Sequence, residues 1–134
     1  MKPYLGYAAL ALLMGGCASV QQPPSAPVIL ENTGTEFPTM CMLLEADGSL
    51  VFRGGFGFYQ PSTWRRADND MLIITLGGKE PFPTEVFKQL PKHVGGLLSF
   101  DEKRREVTYR FDAKTEFLNF GNFYFYRAAA CHAQ

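Results

Sequence analysis

The sequence predicts a mainly β domain, an antiparallel barrel or strongly curved sheet of roughly six to eight strands with one short helix. Three observations carry this. Glu106-Val107-Thr108-Tyr109-Arg110-Phe111 alternates polar and apolar residues, the period of a strand that is dry on one face and wet on the other. Turn-forming clusters recur at short spacing, as at Ala46-Asp47-Gly48, Ala67-Asp68-Asn69-Asp70 and Asp101-Glu102-Lys103-Arg104. The aromatic complement of 12 Phe and 6 Tyr, concentrated in the second half, suits pleated, half-buried surfaces more than exposed helices. A two-sheet sandwich of the same strands is the alternative architecture.

Before this domain comes a segment of a different kind. Met1 and Lys2 give a positive start, residues 4–14 are an apolar run of about a dozen residues, and Gly15 and Gly16 are small. This is the order of an export signal. A membrane-crossing helix needs roughly 20 apolar residues, and the run stops well short of that. With Cys17 added, Leu13-Met14-Gly15-Gly16-Cys17 resembles the lipobox of bacterial lipoproteins. The resemblance covers the head of the chain only. It implies a diacylglycerol thioether on Cys17, cleavage before it by signal peptidase II and acylation of the new amine. Met14 stands where that class prefers Leu, so an ordinary secretory signal is the alternative.

The expected organisation is then a signal peptide over 1–16, a lipid-anchored linker over 17–27 and a β-rich domain over 28–134. Buried acyl chains contribute roughly 0.8 kcal/mol per CH2, enough for two or three chains to hold the protein on a bilayer. Gln21-Gln22-Pro23-Pro24-Ser25-Ala26-Pro27 is proline-rich and polar; in polyproline II geometry the linker would reach on the order of 30 Å. Ala18 is not the aspartate associated with inner-membrane retention, so the resemblance implies the outer membrane, facing the periplasm or the cell surface.

Charge and cysteine content narrow the rest. The 13 basic and 13 acidic side chains balance, and loss of 1–16 removes only Lys2. No basic excess steers the chain to nucleic acid. With Cys17 lipidated, Cys41 and Cys131 remain as a pair in a compartment that permits disulfides, and neither belongs to a CxxC or a zinc pattern. We therefore expect the bridge Cys41–Cys131, with two reduced buried thiols as the alternative.

In chain order, Asn32-Thr33-Gly34 suggests a turn, and Thr39-Met40-Cys41-Met42-Leu43-Leu44-Glu45 is apolar on both alternations, as in a strand covered on both faces. Asp47-Gly48 turns the chain into Ser49-Leu50-Val51-Phe52-Arg53, where Leu50 and Phe52 share a face. Gly54-Gly55-Phe56-Gly57-Phe58-Tyr59 lacks the lysine of a phosphate loop and reads as a strand bent at its glycines. Thr63-Trp64-Arg65-Arg66 and Met71-Leu72-Ile73-Ile74-Thr75-Leu76 form the next hairpin. Over roughly 15 residues it resembles hairpins of small lipocalin-like β-barrel lipoproteins, although the Gly-x-Trp signature of lipocalins is absent. Thr84 can cap a short helix over 84–90, with Val86, Phe87 and Leu90 on one side, plugging an end of the sheet. Residues 97–100 and 105–111 form a hairpin, and Phe123 and Phe125 oppose Tyr124 and Tyr126 on the last strand.

No HExxH, GxSxG or metal-ligand cluster occurs, and no cofactor or metal is expected. His93 and His132 read as exposed, the 68–70 aspartates as turn formers, and Arg65-Arg66 and Lys103-Arg104-Arg105 as solvated hairpin positions. The expected function is a non-catalytic, membrane-anchored envelope protein that binds a protein partner, for assembly or as an inhibitor. Small periplasmic lysozyme inhibitors are lipoprotein β-barrels of similar size, but their Ser-Gly inhibitory loop has no match here. The alternative is a lipocalin-like carrier of an apolar small molecule, with Phe56, Phe58 and Trp64 lining its cavity.

Overall fold

The structure, a computed structural model, describes residues 27–32, 38–68, 70–91 and 95–133. The expected head, Cys17 and nearly all of the linker lie outside these residues, as do the turn after Asn32, Asn69 and His93. Among the described residues, nine strands form one antiparallel sheet. They are β1 (Val28–Asn32), β2 (Met40–Leu44), β3 (Ser49–Arg53), β4 (Ser62–Asp68), β5 (Met71–Thr75), β6 (Leu97–Asp101), β7 (Glu106–Arg110), β8 (Phe117–Phe120) and β9 (Phe123–Ala128). Their order is β6-β7-β5-β4-β3-β2-β1-β9-β8. Insertion of β1 between β2 and β9 sets the start of the domain beside its end.

The sheet curls into a nearly closed barrel. Its two outer strands, β6 and β8, meet where the Asn119 N–H donates to the carbonyl of Gly95, 3.2 Å away. The Tyr109 hydroxyl from β7 donates to the Asn119 carbonyl at 2.5 Å and reinforces the seam. Burial pushes this phenol well above its usual pKa range, so it stays a donor. Helix α1 (Thr84–Gln89) fills the gap beside the seam, with the Phe87 ring centroid 6.0 Å from Phe100 of β6 and 5.7 Å from Phe120 of β8. The expected plugging role thus falls to Phe87. Pro83, not Thr84, occupies the N-cap position, and the helix stops at Gln89.

Side chains alternate as the sequence requires. Leu50 and Phe52 of β3, Leu72 and Ile74 of β5, and Val107 and Tyr109 of β7 point inward with Leu30, Met42, Leu118 and Phe125. All five residues of β2 are buried, because Met40, Met42 and Leu44 face the core while Cys41 and Leu43 are covered on the outside. At one end of the barrel Phe111 closes the core beneath two arginines, with Cζ of Arg127 at 4.2 Å and that of Arg66 at 5.2 Å from the ring centroid. Arg127 also donates to the carbonyls of Thr115 and Asp112, and Arg66 to that of Phe111.

The strand count exceeds the expected six to eight because β1 and β8 carry no readable alternation. In β1, Glu31 is buried on the outer face opposite Leu30, and in β8, Leu118, Asn119 and Phe120 are all buried. Strands covered on both faces lose the period of two that identifies them. The 54–60 stretch also differs from a bent strand. Strand β3 ends at Arg53, and the chain leaves the sheet for a 3-10 turn over Gly57–Tyr59.

Candidate functional site

The aromatic end of the barrel, opposite Phe111, is built from the segment that follows β3. Phe56 adopts φ 65°, a left-handed conformation uncommon for a bulky residue, and neighbouring rings hold it there. Its centroid lies 5.8 Å from Phe52, 5.2 Å from Phe120 and 5.7 Å from Phe123, and its ring packs on Gly121. Phe56 therefore stoppers the core. Two residues on, Phe58 points the other way and is 53% exposed, the largest exposure of any large hydrophobic side chain among the described residues.

Backbone contacts fix the position of Phe58. The Gly77 N–H donates to the Tyr59 carbonyl at 3.0 Å, and a Cβ on Gly77 would fall 1.6 Å from the Pro61 carbonyl oxygen. Gly78, at φ 75°, also lies against the Phe58 carbonyl, whose oxygen would be 2.1 Å from a Cβ there. Only glycine allows this approach of two chain segments. The Ser62 hydroxyl donates to the Tyr59 carbonyl at 2.6 Å, and the Gln60 side chain accepts from the Phe52 N–H at 2.6 Å.

Beside Phe58 opens a groove of about 510 Å³. Tyr59 and Phe82 form its floor, Pro81, Pro83 and Val86 its apolar walls, and Glu80, Glu85, Glu102 and Lys88 its rim. The Phe58 and Tyr59 rings meet edge to face at 4.7 Å, so the exposed aromatic and the groove form one surface. Burial, and secondarily the Glu80 carboxylate, push the Tyr59 phenol above its usual range, while Arg105 opposes this. Arg105 also holds the loop that carries the groove. Its guanidinium donates to the carbonyls of Leu76, Gly77 and Glu80 at 2.9, 2.9 and 2.8 Å. The expectation of a solvated hairpin arginine thus holds for Arg65, exposed beside Glu106, and not for Arg105. Arg105→Lys keeps the charge but loses the planar fork. We expect it to lower stability by about 1–2 kcal/mol in urea unfolding.

The structure brings Phe56 and Phe58 together, 6.1 Å apart, but with opposite roles as stopper and exposed rim. Trp64 lies apart from them. It is half-buried on β4, makes no ring contact among the described residues, and donates its indole N–H to the Glu45 carbonyl at 2.8 Å. The groove residues had no sequence signal beyond the irregular Pro81-Phe82-Pro83.

Cys41 and Cys131 are disulfide-bonded, with Cα atoms 6.0 Å apart, as their parity implied. The bridge draws the C-terminal segment over the outer face of the sheet. There the Glu31 carboxylate accepts the His132 backbone N–H at 2.6 Å and lies 3.0 Å from its Nδ1. Glu31, Cys41 and Cys131 place ligand-type atoms within 4.8 Å of one another. Both sulfurs are spent in the disulfide, however, so the cluster offers no thiolate to a metal and acts as a clasp.

No protein family, curated protein or solved structure matches the chain. Among the described residues, no helix is long and apolar enough to cross a membrane.

Proposed function

We propose that the protein is a lipid-anchored lipoprotein of the bacterial envelope whose barrel binds a protein partner without catalysis, in envelope assembly or as an inhibitor. The observation that carries this reading is Phe58, exposed at 53% on a backbone locked by Gly77 and Gly78, next to the groove. Rigid exposed aromatics beside a recess are the usual anchors of protein interfaces, because a large apolar area is presented with little side-chain entropy to lose. The barrel interior, filled by Tyr109, Phe120, Phe125, Met42 and the Phe56 stopper, favours surface binding over carriage of an apolar molecule. Lipid anchorage at Cys17, in the outer membrane, rests on the lipobox resemblance.

Two measurements test the proposal. Mass spectrometry of the native protein should find a mature chain beginning at an acylated Cys17, and Cys17→Ser should abolish both processing and acylation. A photoreactive residue at position 58, introduced into the full chain in intact envelopes, should give one defined protein adduct. The same residue at exposed Ala67 should give none. An unmodified Cys17 would remove the anchor, and equal labelling from both positions would remove the binding surface.

A further inference from the structure

The groove beside Phe58 joins two chemistries. Its walls, from Pro81, Pro83 and Val86 over Tyr59 and Phe82, are apolar. Its rim carries three carboxylates, of Glu80, Glu85 and Glu102, against the single ammonium group of Lys88. Lys88 is already 3.4 Å from Glu85. Neither Glu80 nor Glu102 has an ion-pair partner among the described residues. Arg105 turns its guanidinium onto the carbonyls of Leu76, Gly77 and Glu80 and so serves the loop behind the groove.

We infer that this groove receives a lysine- or arginine-bearing, extended segment of the partner protein. The inference rests on the protein-binding reading above and names the chemistry of its partner. A long cationic side chain has an apolar stem for the proline and aromatic walls and a charged head for the carboxylates of the rim. A carboxylate or phosphate in the same place would meet three carboxylates on the rim, and a neutral aliphatic segment would leave Glu80 and Glu102 without an ion-pair partner. An extended segment fits because the recess opens to solvent between the 80–86 segment and the β6–β7 turn that supplies Glu102.

The test uses the full-length protein in neutral detergent micelles and two synthetic probes, a lysine–proline repeat peptide and a glutamate–proline repeat of equal length. Titration calorimetry should show binding of the lysine peptide only. Binding should fade as salt shortens the screening length from about 10 Å at 0.1 M to about 3 Å at 1 M. The double substitution Glu80→Gln and Glu102→Gln should weaken it roughly ten-fold, the combined effect of two exposed charge pairs. The melting temperature should not move, because both side chains are exposed. Glu116→Gln, a carboxylate away from the groove, should leave binding unchanged. Equal affinity for the two peptides, or an unaltered affinity in the double variant, would overturn the cationic partner. A defined adduct from position 58 in envelopes would then still uphold the protein-binding reading, whereas absence of any adduct would remove both.

Discussion

Removing the Cys41–Cys131 bridge is expected to destabilise the barrel by about 3–5 kcal/mol, because the bond closes a loop across a sequence separation of 90 residues. Loop closure at that length removes a large share of the unfolded chain's freedom, and the opened chain regains it. For a domain of this size the loss corresponds to a melting temperature lower by on the order of 15–25 °C. Thermal unfolding with and without reductant measures it. The double variant Cys41→Ser, Cys131→Ser separates the crosslink from other effects of the reductant. A shift of only a few degrees in both experiments would show that the crosslink restricts the unfolded chain far less than its loop length implies.

Phe120→Ala should cost about 3–5 kcal/mol, whereas Phe117→Ala, three residues away on the same strand, should cost under about 1 kcal/mol. Phe120 is fully buried and its ring meets those of Phe52, Phe56, Tyr59, Phe87 and Phe125. Its loss would leave a cavity where the stopper, the helix and the last strand converge. Phe117 instead stacks on the outer face against Tyr124 and Tyr126, at 4.9 and 5.0 Å, where water can replace what is removed. Denaturant midpoints at constant slope give both values. Similar costs for the two substitutions would mean that the seam strand is not packed as described.

The contrast between these two phenylalanines also shows what the sequence could and could not disclose. Where one face of a strand is wet, the pattern was legible: Val107, Tyr109 and Phe111 are buried and Arg110 is exposed, as their alternation required. Phe125 and Tyr124 obey the same rule on β9. Legibility failed where cover comes from distant parts of the chain. Glu31 is buried by a segment a hundred residues later, and nothing local to it announces that cover. Arg105 carries no mark that separates it from Arg104, yet its left-handed φ of 58° aims it at the loop after β5 while Arg104 stays in water. The groove was illegible for a related reason. Its residues come from the turn after β3, the loop before α1, the helix and the β6–β7 turn, and only the pairing of non-consecutive strands in the sheet brings them together. The cysteine pair was readable because parity, with Cys17 set aside for the expected lipid, is a property of the whole chain and needs no register.

The position of β1 has a mechanical consequence. Any pull transmitted to the domain through Pro27 enters at this strand, whose five residues are laddered to β2 on one side and joined to β9 on the other. Tension along the strand loads those hydrogen bonds together in shear rather than one at a time, the arrangement that resists extraction best. The disulfide arches over the same strand, since Glu31 is the register partner of both Cys41 and Tyr126 and the bridge runs from β2 to the segment after β9. It works as a hoop that keeps the two flanking strands from spreading as force rises. Under the proposed lipid anchorage, a barrel held in this way could be tugged by its tether without coming apart where the tether enters.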